Sequence, residues 1–191
     1  MLSCLRYVAA LLCLFSALPL AAAEIAGERF NPQTQMAGQP LQLNGVGVRS
    51  RLGFKVYVAA LYLAEPIRQT SELAPRASRR LEIRLLRDLS ADTFLEALRK
   101  GLQDNTPSNR QEVLRDRVQQ LEQVISTLGS VKKGGVILFD YSIESGTRLT
   151  VDGKQQGGLI PGEDFANALF HIWLGDKPVD SDLKRGLLGL R

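Results

Sequence analysis

Apolar and polar residues alternate along several short stretches of the chain, which is typical of β-strands. The longest apolar strand candidate after residue 23 is the segment 54–64, in which every second residue would lie on the same face of a sheet. This spacing places Lys55 and Tyr57 on one face, and Phe54 and Val56 on the other. Because both faces are otherwise largely apolar, we predict a central strand that is covered on both sides.

Other stretches have the spacing of strands, and Gly, Pro or Asp residues separate them. An edge strand is expected over 29–36, and Asp152-Gly153 is a hairpin signal because both residues tolerate a positive φ. Gly157-Gly158 predicts a bulge or a close backbone approach. The other strands are predicted over 41–49, 79–87, 136–142, 147–151 and 155–160.

Apolar residues recur at helical spacing in four segments. Ser90 is a candidate N-cap of the first helix, and the second helix is predicted over 108–129. Gly175 is expected to end the third helix in the left-handed conformation, and a short closing helix is predicted over 180–188. Strands and helices do not alternate strictly. The pattern therefore predicts an α+β fold, a mostly antiparallel sheet with helices layered on one face.

Residues 1–23 have the pattern of a secretory signal peptide. A short segment that contains Arg6 precedes a continuous apolar run over 7–20, and three alanines follow just before Glu24. This run is shorter than the ~20 residues that a membrane span needs, and no later segment is apolar enough to form one. We therefore predict an exported, periplasmic or secreted protein with one domain over 24–191.

Composition excludes several classes of function. Both cysteines, Cys4 and Cys13, lie in the predicted signal peptide, so the domain must be stable without disulfides. Loss of Arg6 lowers the formal net charge from +4 to +3, which is too weak to predict nucleic-acid binding. The sole histidine, His171, lies among apolar residues and is expected to be a helix residue. Thiol catalysis and a His/Cys metal cluster are therefore excluded.

The segment Gly45-Val46-Gly47-Val48-Arg49 resembles a dinucleotide-binding fingerprint only in part. That fingerprint needs a third glycine at position 50 and a helix after it. Position 50 is Ser, and the following segment is a predicted strand. We predict neither a cofactor nor a metal.

Arg49, Lys55 and Tyr57 remain as candidate functional residues. An arginine at the end of a central strand can bind a carboxylate through two hydrogen bonds or stabilise an oxyanion on a substrate. The hydroxyl of Tyr57 would add a hydrogen-bond donor, and Lys55 would add a cation. The alternative is structural: Arg49 would form a buried ion pair, and the Tyr57 hydroxyl would be bonded within the core.

The segments GVGVR and FKVYVAALYL together resemble the strand pair of the chalcone isomerase superfamily. The segment from Gly146 to Gly189, GTRLTVDGKQQGGLIPGEDFANALFHIWLGDKPVDSDLKRGLLG, is similar to the family's strand-turn-strand, helix and closing helix. The resemblance implies an open-faced β-sandwich, in which a helical layer covers a large sheet and a cleft lies between them. It also indicates the bacterial, exported group of chalcone-isomerase-like proteins.

The resemblance implies roles for two of the candidate residues. Arg49 corresponds to the family's arginine that steadies a developing enolate in the enzymes and meets the carboxylate in fatty-acid binders. Tyr57 matches the tyrosine of the fatty-acid-binding type rather than the threonine of the plant enzymes. The enzymes also carry a tyrosine on the helical segments, whereas 94–128 contains none.

Three hypotheses follow. The first is a binding protein that holds a small apolar, fatty-acid-like ligand in the cleft, with Arg49, Tyr57 and Lys55 as ligand-binding residues. The second is an intramolecular lyase or isomerase that acts on a phenolic or enone substrate, with Arg49 and Tyr57 as catalytic residues. The third is a protein that binds another protein and no small ligand. The sequence leaves the oligomeric state open.

Overall fold

The computed structural model describes residues 23–190. The predicted signal peptide lies outside these residues apart from Ala23, which begins the first strand. Among residues 23–190, no helix combines the length and the apolar character that a membrane crossing requires.

The described residues form eleven strands, numbered in chain order: β1 (Ala23–Ile25), β2 (Glu28–Phe30), β3 (Gln33–Met36), β4 (Gln39–Arg51), β5 (Phe54–Leu63), β6 (Arg79–Leu85), β7 (Leu89–Ser90), β8 (Ser130–Val131), β9 (Val136–Ser142), β10 (Gly146–Val151) and β11 (Lys154–Ile160). Seven of them form one sheet in the order β11-β10-β9-β6-β5-β4-β3, and every neighbouring pair is antiparallel. The predicted antiparallel sheet is therefore confirmed.

Within 23–190, four α-helices and one short 3-10 helix (Thr70–Glu72) complete the fold, and the α-helices are α1 (Ala91–Asn105), α2 (Ser108–Ser126), α3 (Glu163–Leu174) and α4 (Ser181–Leu187). Ser90 caps α1 as predicted, since its hydroxyl accepts a hydrogen bond from the amide of Thr93. The apolar sides of all four helices join one large core cluster on a single face of the sheet. This helical layer confirms the α+β prediction.

Strand β5 is covered on both faces, as its apolar residues on both faces predicted. Tyr57, Ala59 and Leu61 pack beneath the helices. On the opposite face, Val58 and Tyr62 belong to a smaller cluster. The small cluster is covered by residues from the N-terminal strands β2 to β4, namely Phe30, Met36 and Leu41.

A bulge near the start of β5 corrects one prediction. The pairing changes from Arg49 with Tyr57 to Ser50 with Lys55, which leaves Val56 as an extra residue on β5. Val56 therefore packs against the core beneath the helices rather than on the face of Val58. Strict alternation had placed Phe54 and Val56 on the opposite face from Tyr57, and this is wrong.

Gly175 also differs from its prediction. Its φ is −72°, so it does not end α3 in the left-handed conformation. A Cβ atom at this position would lie 2.6 Å from the carbonyl oxygen of His171. Gly175 is needed for this close approach rather than for its φ.

The glycines of the GVGVR segment allow α4 to lie directly on β4. A Cβ atom on Gly47 would lie 2.8 Å from the carbonyl oxygen of Leu183, and one on Gly45 would clash with the carbonyl oxygen of Gly186. Backbone atoms cannot move aside as a flexible side chain can. The two glycines thus bring the start of α4 beside Arg49.

Candidate functional site

A cavity of about 310 Å³ lies between the sheet and the helices. Its floor comes from β4, β5, β6 and β9, and its roof comes from α1 and α3. The lining residues are Arg49, Arg51, Leu52, Phe54, Val56, Tyr57, Ile83, Arg87, Asp88, Leu89, Thr93, Phe94, Ala97, Leu98, Ile137, Ile172, Trp173 and Val179. The size is at the lower end of the range of about 300–1,000 Å³ for small-molecule sites.

Arg49 lines this cavity and is half-buried. Its guanidinium carbon lies 5.7 Å from the centre of the Tyr57 ring. Among residues 23–190, no carboxylate is within ion-pairing distance of it. A half-buried guanidinium without a carboxylate can accept an anionic ligand through its planar set of donors.

Asp180, whose charge acts on Tyr57, forms its hydrogen bonds with backbone amides. One oxygen of Asp180 accepts a hydrogen bond from the Ser50 amide at 3.1 Å. The other accepts from the amides of Asp182 and Leu183 and so caps α4. Asp180 therefore organises the wall of the cavity and forms no ion pair with Arg49.

Trp173 holds Tyr57 in place. Its indole Nε1–H donates a hydrogen bond to the Tyr57 hydroxyl at 2.8 Å, and both side chains are at least 95% buried. Since the hydroxyl oxygen accepts from Trp173, its own proton remains available to an acceptor in the cavity. Tyr57 is thus a fixed donor beside the Arg49 guanidinium.

Burial raises the pKa of the Tyr57 hydroxyl above its ordinary value. The Arg49 charge and the hydrogen bonds from Trp173 and Arg49 act in the opposite direction, and the Asp180 charge adds to the rise. Burial is the largest of these effects. The hydroxyl therefore stays protonated at neutral pH and can donate a hydrogen bond.

The rest of the cavity wall is mostly apolar. Helix α1 contributes Phe94, Ala97 and Leu98, with Thr93 as its one polar side chain. Helix α3 contributes Ile172 beside Trp173. A wall of this kind suits a hydrocarbon or aromatic group, whereas the Arg49 end suits an acid.

Lys55 is exposed and does not line the cavity. The bulge at Val56 separates it from Tyr57, which lines the cavity together with Phe54. His171 also lies outside this cavity. No group of three or more His, Asp or Glu residues within 23–190 is arranged to hold a metal.

Sequence reasoning missed Trp173 as a site residue. Its apolar surroundings in α3 predicted only a core position, and the hydrogen bond joins residues 116 positions apart. Both Ile172 and Trp173 belong to the apolar side of α3 that packs in the core. A buried indole N–H needs an acceptor, and this requirement is the signal that could have linked Trp173 to Tyr57.

Comparison with known proteins agrees with this architecture. The sequence model of the chalcone isomerase-like family matches residues 22–189. No curated protein is significantly similar to the chain. The crystal structure of a fatty-acid binding protein from Arabidopsis thaliana is similar, with a TM-score of 0.66 and 13% identity over 88% of this chain and 96% of that chain. This likeness shows a shared fold, and because the family model spans nearly all the described residues, the chain belongs to the chalcone isomerase-like family.

Proposed function

We propose that the protein binds a small, mainly apolar acid in the cavity between the sheet and the helices. The carboxylate would accept hydrogen bonds from the guanidinium of Arg49 and from the hydroxyl of Tyr57. The hydrocarbon part would lie along the apolar wall of α1 and α3, against Phe94 and Ile172.

One observation carries this proposal. Arg49 lines a largely apolar cavity and has no carboxylate partner among residues 23–190. An unpaired guanidinium in such a place costs desolvation free energy unless an anion joins it. Other half-buried arginines on the opposite face of the sheet, Arg80 and Arg84, do have carboxylate partners, Asp140 and Glu82.

The similarity to a fatty-acid binding protein supports the choice of ligand class. The cavity size favours one small amphiphile, since about 310 Å³ is near the lower limit for ligand sites. A fatty-acid-like or phenolic acid would match both the cationic Arg49 end of the cavity and its apolar wall.

The single tryptophan provides a direct test, because Trp173 is both the only tryptophan of the chain and a wall of the cavity. Titration with decanoic acid should change its fluorescence and saturate at one ligand per protein. Native mass spectrometry of freshly purified protein should show the same stoichiometry or a co-purified acid. No fluorescence change and no mass shift with added acid would contradict the proposal.

An enzyme remains the second candidate, because the donors of Arg49 and Tyr57 converge on one side of the cavity. Such a pair can stabilise an oxyanion or enolate during an intramolecular lyase or isomerase reaction. The test is the decay of chalcone absorbance: the enzyme should accelerate it over buffer, and Arg49→Ala should abolish the acceleration. An unchanged decay rate contradicts this second function.

The compartment forms part of the proposal. The signal-peptide pattern of residues 1–23 supports a periplasmic or secreted protein. Cell fractionation with N-terminal sequencing tests this, and the expected N-terminus is Glu24. Recovery of full-length protein from the cytoplasm would contradict export.

A further inference from the structure

The tip of the β4–β5 hairpin, residues 51–55, carries two exposed apolar side chains. Leu52 is 89% exposed and Phe54 is 61% exposed, the two highest values for large apolar residues within 23–190. Both side chains also line the cavity, so the hairpin tip forms its rim. An exposed apolar pair at a cavity rim is typical of an interaction surface.

The turn geometry shows that Leu52 is unfavourable where it stands. Four non-glycine residues within 23–190 have a positive φ, and each is followed by glycine in a tight turn. The other three, Ala26, Ala37 and Asp152, are small or polar, whereas Leu52 is large and has a φ of 52°. Asparagine or aspartate fits this conformation better than leucine. The leucine therefore has a use other than turn stability.

Cations surround the exposed pair. Arg51 and Lys55 are exposed, and neither forms an ion pair with any residue of the described chain. Arg87 stacks on the Phe54 ring, with its guanidinium carbon 4.9 Å from the ring centre. The one acid at this rim, Asp88, pairs with Lys132 at 3.0 Å. The rim thus combines apolar side chains with unpaired positive charge.

We propose that the hairpin tip docks on an anionic lipid bilayer. Leu52 and Phe54 would enter the region between the headgroups and the acyl chains, while Arg51, Lys55 and Arg87 contact the anionic headgroups. Arginine and lysine can extend their charged ends to the headgroups while their stems stay in apolar surroundings. Docking in this orientation turns the cavity rim toward the lipid, so an amphiphile could pass between the bilayer and the cavity.

The test is co-sedimentation of the protein with phosphatidylcholine vesicles that contain phosphatidylglycerol. Leu52→Asn should weaken partitioning of the protein onto the vesicles roughly tenfold, because the bilayer no longer buries the leucine side chain. Asparagine suits the positive φ, so this variant should keep the fold and its thermal midpoint. Ala37→Asn is the matched control, since it introduces asparagine at the equivalent position of another exposed x-Gly turn without removing a large apolar side chain. It should leave partitioning unchanged.

A second arm tests the charges. Arg51→Gln should weaken partitioning about fivefold at low salt, and Lys154→Gln, which removes an exposed cation from another hairpin, should not. The effect of Arg51→Gln should vanish at about 1 M salt, where the Debye length is about 3 Å. Vesicles of phosphatidylcholine alone should bind the wild-type protein more weakly.

Several outcomes would overturn the inference. Equal partitioning of Leu52→Asn and wild type is one, and absence of vesicle binding is another. If Leu52→Asn instead converts a dimer to a monomer without changing vesicle binding, the hairpin tip is a protein interface. Tyr57→Phe separates this inference from the proposed function, because Tyr57 is buried. It should weaken decanoic acid binding and leave vesicle binding intact. Acid binding therefore tests the proposed ligand, and vesicle binding tests bilayer docking, each independently of the other.

Discussion

The indole of Trp173 on α3 donates a hydrogen bond to the hydroxyl of Tyr57 on β5 over 2.8 Å. This contact ties the helical layer to the central strand at the wall of the cavity. The hydroxyl proton of Tyr57 remains available to an acceptor beside Arg49. Both the stability of the fold and the chemistry of the site depend on it.

Tyr57→Phe should lower the free energy of unfolding by about 1–3 kcal/mol, because the buried Trp173 N–H loses its acceptor. The double variant Tyr57→Phe/Trp173→Phe removes both partners and should be more stable than the sum of the single effects predicts. Urea unfolding of the three variants measures the coupling, which we expect to be about 0.5–3 kcal/mol. Strictly additive effects would show that the hydrogen bond contributes nothing to stability.

Gly47→Ala tests the contact between β4 and α4. The new Cβ would lie 2.8 Å from the carbonyl oxygen of Leu183, so α4 must move. We expect a loss of about 1–3 kcal/mol in the free energy of unfolding, as for other overpacked sites. The matched control is Gly158→Ala, whose Cβ would have its nearest neighbour at 3.7 Å. Equal stability of both variants would contradict the account of the GVGVR segment.

His171 should make stability depend on pH. Burial lowers the pKa of His171 from 6.5, an effect to which the Arg79 and Lys184 charges add and which Asp176 opposes. The unfolded chain therefore binds the proton more readily, and stability falls as the pH drops through about 6.5 and below. His171→Gln should flatten this part of the profile and leave the steeper loss near pH 4, where carboxylates protonate. Parallel profiles for the two proteins would contradict the assignment.

Arg79 is a structural residue of the core. It is fully buried between the rings of Tyr141 and Phe170, and it donates a 2.6 Å hydrogen bond to Asn167. Burial lowers its pKa to about 10. Arg79→Ala should cost about 2–5 kcal/mol, because it leaves a cavity.

Arg79→Met keeps most of the side-chain volume and removes the buried charge, so it should cost less than Arg79→Ala. Chemical denaturation compares the two variants. A loss below about 0.5 kcal/mol for Arg79→Ala, as at an ordinary surface site, would show that the stacking and the volume are dispensable.

The two covered faces of β5 could be predicted because the strand is apolar on both faces from Tyr57 to Leu63. The turn at Asp152-Gly153 was also predictable, and both residues have a positive φ. These features depend on local patterns of spacing and on residue types with distinct backbone preferences. The resemblance of the GVGVR segment and of residues 146–189 to the chalcone isomerase superfamily predicted the family.

The bulge at Val56 could not be predicted, because valine gives no local signal for it. It decides which side chains reach the cavity, and it brings Phe54 and Val56 to the side of Tyr57 while Lys55 lies outside. No local pattern predicts the Trp173–Tyr57 contact either, because 116 positions separate the two residues. Features that depend on register and on long-range packing appear only in the folded chain.

The central claim is that Arg49 binds the acidic group of an apolar ligand. Its most direct test compares decanoic acid with 1-decanol, both followed by Trp173 fluorescence, in wild type, Arg49→Gln and the exposed-site control Lys154→Gln. Arg49→Gln should weaken acid binding about 10–100-fold, since a hydrogen bond to a charged group contributes about 1.5–3 kcal/mol, and should leave 1-decanol binding unchanged. Arg49→Lys should fall between the two. An unchanged preference for the acid in Arg49→Gln would contradict the account.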